Sequence, residues 1–173
     1  MPSAARGFTP ELVVELVAAG IEIAPIVLHT GVSSPETGEP PFPEWFRVPE
    51  ATARHVNAVR AGGGRVVAVG TTSLRALESQ ALASSSVAPG APLAPGSGET
   101  NLFITPGFAF RVVDLMLTNF HLPKSTLMML VSAFAGHARV MALYRHAIAA
   151  RYRFFSYGDA MLLRRVAASA AVG

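Results

Sequence analysis

Residues 64–79, GRVVAVGTTSLRALES, constrain the fold more than any other stretch of this chain. A short β-branched run ends at Gly70, and three hydroxyl side chains and a helix-forming sequence follow at once, a pattern typical of a strand that turns tightly into a helix. Segments of helical and strand character alternate through the rest of the chain. This alternation predicts an α/β fold with a mainly parallel sheet flanked by helices.

The other elements are predicted from their boundary residues and periodicity. Thr9 can cap a helix that starts at Pro10, and Gly20 ends it. Glycines also stop the second helix, and Ser125 is placed to cap the helix predicted over 125–135. The predicted helices cover 8–20, 48–63, 125–135 and 138–150, the predicted strands 21–29, 101–105 and 109–113 with strand character in 152–163, and the predicted loops 30–46 and 83–99, the latter a mobile surface loop.

Length and composition limit the class of protein. With 173 residues, the chain is expected to form a single domain, 1–173. It has no cysteine, which excludes disulfides, thiolate catalysis and zinc–thiolate sites. The N-terminus has no signal pattern, and the longest apolar run, 125–136, is shorter than the roughly 20 residues that span a bilayer. We therefore expect a cytoplasmic protein without a membrane partner.

Positive charge is concentrated at the C-terminal end. Six arginines and one acidic residue, Asp159, follow residue 137, whereas the first 137 residues carry eight basic and ten acidic side chains. A basic segment of this kind favours an anionic partner such as a phosphate backbone. A solvated arginine face explains the same charge.

The first candidate site is the helix start after Gly70. The free amides of the first helical turn would point at a ligand above the sheet, and the hydroxyls of Thr71, Thr72 and Ser73 add further hydrogen-bonding groups. Arg75 lies within the first turn and a half of the same predicted helix. The site suits a carboxylate, a phosphate or a ribose hydroxyl, although it is neither a P-loop nor a G-x-G-x-x-G fingerprint. Alternatively, Thr72 or Ser73 only caps the helix.

The second candidate is TNFHLPKSTL, residues 118–127. If the strand alternates, Asn119 and His121 share one face and form a pocket for a purine-like base or a sugar beside a helix N-terminus. Ser125 is a good N-cap, and Lys124 and Thr126 flank it. A structural histidine with satisfied hydrogen bonds is the alternative.

The third candidate is YRFFSYGDAM, residues 152–161. Tyr157 and Asp159 border a turn at the edge of the predicted sheet, where ligands dock in open α/β folds. Aromatic rings can stack on bases, and Arg151 and Arg153 can neutralise phosphates. A plain aromatic core with a turn explains these residues as well. The five histidines have no metal-ligand spacing, so no metal site is expected.

Three of these stretches together, GRVVAVGTTSLRALES, TNLFITPGFAFRVVDLMLTNFHLPKSTLMMLVSAFAG and YRFFSYGDAML, closely resemble the S-adenosylmethionine:tRNA ribosyltransferase-isomerase family of queuosine biosynthesis. The resemblance implies an α/β barrel-like body with a small inserted β-barrel. Family members are about twice as long as this chain. The chain matches their C-terminal half, so we expect only the α/β part here, without the inserted β-barrel.

The resemblance also implies an activity. The ribosyl part of S-adenosylmethionine is transferred to 7-aminomethyl-7-deazaguanine at the tRNA wobble position and rearranged to an epoxycyclopentane, giving epoxyqueuosine, with release of adenine and methionine. It implies S-adenosylmethionine and tRNA as partners, and no metal or other cofactor. The residues expected to act in catalysis are Asn119, His121 and Arg75; those expected to bind substrate are Thr71, Thr72, Ser73, Lys124, Ser125, Thr126, Tyr157 and Asp159; and those expected to bind RNA are Arg151 and Arg153.

The sequence departs from the family pattern at two places. Gly7 stands where family members have a histidine, and residues 32–43 are shorter and lack a second one. Glu44 is the polar residue of that region that aligns. These departures favour an alternative, a truncated tRNA- or nucleotide-binding pseudoenzyme, and an unrelated nucleotide-binding regulator remains a third reading. We also expect the chain alone to self-associate or to need a partner.

Overall fold

The computed structural model describes residues 3–29, 43–85 and 91–166. A short 3-10 helix, Ser3–Gly7, precedes the regular elements. The helices are α1 (Pro10–Ala18), α2 (Glu50–Ala61), α3 (Thr71–Ser85), α4 (Thr126–Ala135) and α5 (His137–Ala149), and the strands are β1 (Val27–His29), β2 (Glu44–Val48), β3 (Val67–Val69), β4 (Gly96–Thr100), β5 (Leu115–Asn119) and β6 (Ala160–Arg164).

The strands form two small sheets. Sheet A has the order β1-β2-β4 and is antiparallel throughout, whereas sheet B has the order β3-β5-β6, with β3 parallel to β5 and β6 antiparallel to it. The mixed α/β class is confirmed, but the prediction of a mainly parallel sheet is wrong. The α3 crossover leads to β4, which pairs with β2 in the other sheet. Among the described strands, only β3 and β5 therefore make the parallel pairing that a helical crossover permits.

Local end signals of the helices are confirmed. The Thr9 side chain accepts the Leu12 N–H at 3.2 Å, and Pro10 is the first residue of α1. After α1, the N–H groups of Gly20 and Ile21 bond back to the carbonyls of Val17 and Leu16 in a Schellman motif, with Gly20 at φ 80°. The positive φ that this motif requires explains why a glycine stands there.

The same motif ends α5 without a glycine. The N–H groups of Arg151 and Tyr152 bond to the carbonyls of Ile148 and Ala147, and Arg151 takes the left-handed position at φ 58°. Arg151 therefore has a structural role at the end of α5 that depends on its backbone conformation and not on its side-chain charge.

Several predicted segments differ from the structure. The strands predicted over 101–105 and 109–113 are irregular. In the second of them, Glu78 of α3 takes up the backbone N–H groups of residues 111–113, which a sheet would otherwise use. The loop predicted over 83–99 is wrong at both ends, since α3 runs through Ser85 and β4 starts at Gly96, and residues 86–90 lie outside the described residues. Most of the loop predicted over 30–46 lies outside them too, and Glu44–Val48 is a strand.

The core lies between sheet B and the helices. Leu74, Met116, Val131 and Phe134 are fully buried. Within the described ranges, no single helix is long and apolar enough to cross a membrane; α4 and α5 meet that test only as a joined pair, which is bent by 113°.

Candidate functional site

The carboxyl ends of β3 and β5 lie side by side, because the two strands are parallel and Val69 is in register with Leu117. The Gly70 N–H donates to the Leu117 carbonyl at 2.8 Å, and the φ of 92° at Gly70 turns the chain directly into α3. The first turn of α3 therefore starts next to Thr118 and Asn119. We call this region the carboxyl edge.

The hydroxyl residues of α3 lie at this edge, inside the helix. Thr71 and Thr72 are partly exposed, and Ser73 is buried. The residue that precedes the helix is Gly70, which has no side chain with which to cap it. The alternative in which Thr72 or Ser73 caps the helix is therefore wrong.

Asn119 connects three parts of the chain at the end of β5. Its Oδ1 accepts a hydrogen bond from the Ser3 hydroxyl at 3.0 Å, and its Nδ2 donates to the carbonyls of Gly158 and Asp159 at 3.2 and 3.3 Å. The side chain is buried. It thus fixes the 3-10 helix and the loop 151–159 against the carboxyl edge, and one Oδ1 lone pair remains for a further donor.

His121 follows the strand in an irregular segment, so the prediction that it shares a strand face with Asn119 is wrong: β5 ends at Asn119. Its Nε2 lies 2.9 Å from the Thr118 hydroxyl. Its backbone N–H donates to the Tyr144 hydroxyl at 2.7 Å, and that hydroxyl donates to the His121 carbonyl at 3.1 Å. The roles of Thr118, which contacts the imidazole, and of Tyr144, which holds the backbone of His121, were not predicted from the sequence.

The imidazole of His121 is electrically neutral at physiological pH. Burial disfavours the charged form and lowers its pKa from 6.5 to about 4. Among the described residues, Nδ1 of His121 makes no hydrogen bond, which leaves one ring nitrogen to contact a ligand. The site therefore offers an uncharged hydrogen-bonding group.

Ser125 caps α4 as predicted. Its hydroxyl accepts the Met128 N–H at 3.1 Å and donates to the Leu122 carbonyl at 2.8 Å. Lys124, next to it, is exposed and has a φ of 60°, and Thr126 is buried at the start of the helix.

The loop 151–159 is held by an internal pairing. The Asp159 carboxylate accepts the backbone N–H of Arg153 at 2.7 Å and contacts its guanidinium at 3.4 Å. These contacts, the backbone hydrogen bond first, lower the pKa of Asp159. Tyr157 is exposed and lies under the guanidinium of Arg6 at 4.1 Å from the ring centre. Asp159 and Arg153, predicted to contact different ligands, contact each other.

Arg75 lies apart from the carboxyl edge. Its Nη1 pairs with Glu44 of β2 at 2.6 Å, and its other nitrogens donate to the carbonyls of Leu102 and Thr100 at 3.0 and 3.2 Å. Burial lowers the pKa of this guanidinium, and the Glu44 carboxylate opposes that effect. Arg75 thus joins α3 to sheet A, and its donors are engaged in that contact.

Glu78 of α3 is a second buried ionisable residue, and its role was not predicted from the sequence. Its carboxylate accepts the consecutive backbone N–H groups of Arg111, Val112 and Val113 at 2.7 to 3.0 Å. It fixes the segment that leads into β5. No local signal reveals this role, because the partners are more than 30 residues away. Over the described ranges, no three histidine, aspartate or glutamate side chains are grouped to hold a metal ion.

Polar groups from four distant segments thus meet at the carboxyl ends of two parallel strands, which is where α/β proteins bind their ligands. The fold defines the chain as a mixed α/β body, and this edge is its candidate site. A family model described as "Queuosine biosynthesis protein" matches residues 1–163, and the chain belongs to this family.

Two curated relatives and one solved structure are similar over most of the chain. The S-adenosylmethionine:tRNA ribosyltransferase-isomerases of Paraburkholderia xenovorans and Burkholderia vietnamiensis are 53% identical over 171 residues and 52% identical over 174 residues, each match covering 95% of this chain and 48% of the relative. The crystal structure of S-adenosylmethionine tRNA ribosyltransferase from Thermotoga maritima is 45% identical, with a TM-score of 0.73, and the match covers 92% of this chain and 50% of that one. This chain spans about half the length of these relatives.

Proposed function

We propose that this chain provides the C-terminal half of the catalytic body of an S-adenosylmethionine:tRNA ribosyltransferase-isomerase. The observation that carries the proposal is the 53% identity, across nearly the whole chain, to an enzyme of that name. The reaction transfers the ribosyl part of S-adenosylmethionine to 7-aminomethyl-7-deazaguanine in tRNA and rearranges it to the epoxycyclopentane of epoxyqueuosine. Adenine and methionine leave.

The carboxyl edge is the proposed binding site for S-adenosylmethionine. The hydroxyls of Thr71, Thr72 and Ser73 and the free amides at the start of α3 suit ribose hydroxyls or the methionine carboxylate. Asn119 and the free nitrogen of His121 suit the adenine or the sugar. Lys124, Ser125 and Thr126 at the start of α4, and Tyr157 and Asp159 across the edge, complete the proposed contacts.

The neutrality of His121 fits a cationic substrate. S-Adenosylmethionine carries a sulfonium whose positive charge makes the adjacent carbon acidic, so the reaction needs a base and a firmly held ribose. A protonated imidazole beside that cation would repel it, whereas the neutral ring accepts or donates one hydrogen bond without repulsion. The depressed pKa of His121 therefore supports its place in the site.

Arg75 enters the proposal in a different role from the one that its sequence position predicted. Its contacts with Glu44, Thr100 and Leu102 hold α3 against sheet A. We assign it as a positioning residue that fixes the direction of the helix start, and not as a group that touches the substrate.

The exposed arginines Arg151 and Arg153 are the proposed contacts to tRNA phosphates. They lie on the loop that Asn119 fixes to the carboxyl edge. A phosphate bound there would lie close to the site where the modified base has to enter. Arg153 would exchange its long contact with Asp159 for a phosphate.

The test is calorimetric titration of S-adenosylmethionine into the wild-type chain and into His121→Ala and Asn119→Ala. Loss of one or two hydrogen bonds to a polar ligand weakens binding by about 1–3 kcal/mol. His55→Ala is the matched control, because His55 is exposed on α2 and pairs only loosely with Glu22 at 3.6 Å. Unchanged affinity in both site variants, at unchanged melting temperature, would refute the assignment of the site.

A second measurement separates catalysis from binding. Release of free adenine from S-adenosylmethionine in the presence of substrate tRNA reports the reaction itself. The alternative function, a non-catalytic tRNA- or nucleotide-binding module, is favoured by Gly7 and by residues 32–43, which lack the histidines that the family pattern has there. Binding of both substrates without adenine release would select that alternative.

A further inference from the structure

The first helix is apolar but is not buried. Of the nine residues of α1, PELVVELVA, five are leucine or valine, and none of the nine is buried. Leu12, Val14 and Val17 are exposed, and so are Ile21 and Ile23, which directly follow the helix. We call these five residues the α1 surface. A helix of this composition is normally covered by other parts of a protein.

Nothing in the described part of the chain covers the α1 surface. Helix α1 has no extensive contact with another described helix or strand. Its ends are well formed nevertheless, with the Thr9 cap at one end and the Gly20 motif at the other. The helix is thus specified by its own sequence and presents its apolar side chains outward.

The relatives indicate what covers this surface. They are about twice as long as this chain, which matches their C-terminal half. In such a relative, the other half joins the matched part just before the 3-10 helix Ser3–Gly7, and α1 begins only three residues after that helix. The α1 surface therefore lies close in the chain to the junction between the halves.

We propose that the α1 surface is the docking site for a polypeptide equivalent to the half of the relatives that this chain does not match. Leu12, Val14 and Val17 of α1 and the two isoleucines after it pack against an apolar face of that half. Docking there also constrains the 3-10 helix, which Ser3 ties to Asn119 at the carboxyl edge.

The test is co-expression of the tagged full chain with the unmatched half of the Paraburkholderia xenovorans relative, followed by co-purification and titration of the complex. The substitution Val14→Lys places a charge in the α1 surface, and Ile148→Lys on α5 is the matched control, because the two side chains are exposed to 67% and 66%. We expect a one-to-one complex that Val14→Lys weakens at least tenfold and Ile148→Lys does not. Circular dichroism and melting temperature confirm that both variants of the chain remain folded.

Three results would overturn the proposal. The first is no complex with the wild-type chain, and the second is a complex that both lysine variants form equally well. The third is a homodimer of the chain, seen by light scattering, that Val14→Lys dissociates, since the α1 surface would then bind a second copy. None of these results depends on adenine release, so the proposed enzymatic activity is tested separately.

Discussion

The buried pair of Arg75 and Glu44 allows a sharp test of whether Arg75 acts in catalysis or in structure. The two side chains are 7% and 14% exposed, and their charged atoms are 2.6 Å apart. Glu44→Gln keeps the shape of the side chain and removes its charge. The guanidinium then stays buried with only neutral acceptors, and removal of one partner from a buried pair costs about 3 kcal/mol or more.

The expected loss is measurable by thermal or urea unfolding. For a chain of this size, each kcal/mol lowers the melting temperature by about 2–4 °C, so Glu44→Gln should lower it by about 6–12 °C. The chain contains its own control, the pair of Arg54 and Glu50, which are 2.7 Å apart but 66% and 73% exposed. Glu50→Gln should cost less than about 0.5 kcal/mol, because water already solvates both charges.

The refuting result is a Glu44→Gln variant as stable as Glu50→Gln. Such a result would mean that Arg75 is free to leave Glu44, and the original expectation of a catalytic arginine would regain its basis. If the stability falls as expected, Arg75 is a structural tie between α3 and sheet A. A double variant, Glu44→Gln with Arg75→Met, should then lose less than the sum of the two single variants, because it leaves no unpaired charge.

Three further predictions concern the carboxyl edge and its loop. Because the pKa of His121 is lowered to about 4, the unfolded chain binds a proton at this residue between pH 6.5 and 4 that the folded chain excludes. The free energy of unfolding is therefore fully retained above pH 6.5 and falls by up to about 3 kcal/mol toward pH 4. Urea unfolding at several pH values should show this loss in the wild type and not in His121→Gln. Arg151→Gly should raise the stability by about 1 kcal/mol in the same assay, because glycine takes the left-handed conformation at φ 58° without strain, and an unchanged or lower melting temperature would contradict the helix-end role. Replacing Arg151 and Arg153 by glutamine should flatten the salt dependence of tRNA binding by about one unit of slope per lost phosphate contact, and equal slopes would show that these arginines only face solvent.

Signals that act within a few residues made parts of the fold predictable. The caps at Thr9 and Ser125 and the glycine after α1 were identified from the sequence because each acts on a backbone group no more than four residues away. The division of strands between two sheets was not predictable in this way. Strands β2 and β4 pair across about fifty residues, and no local pattern shows that β4 leaves the sheet that β3 begins.

The strands predicted within residues 101–113 were wrong for a related reason. Its β-branched and aromatic residues favour a strand, and Ile104, Val112 and Val113 are indeed buried. A carboxylate from α3, however, binds three of its consecutive N–H groups, which prevents those groups from joining a sheet ladder. Sequence periodicity reports burial, and burial does not require a strand.

For the candidate site, residue types could be predicted but their partners could not. Asn119 and His121 were conspicuous as polar residues between apolar runs. The groups that position them, Ser3 and Tyr144, lie 116 and 23 residues away in the chain. Thr118 is an exception, since it lies in the same stretch as His121 and its hydroxyl could have been considered as a partner.

The distribution of charge around α3 agrees with the proposed substrate. The two buried charges of this helix, Arg75 and Glu78, are directed to sheet A and to the segment before β5, where fixed partners neutralise or solvate them. At the carboxyl edge, by contrast, the buried polar groups are an amide, hydroxyls and a neutral imidazole. These buried groups can hold the adenine and ribose of a sulfonium compound by hydrogen bonds, and none of them adds a cation next to the sulfur. A buried imidazolium there would act against that binding, so the same burial that lowers the pKa of His121 also makes the edge compatible with a cationic substrate.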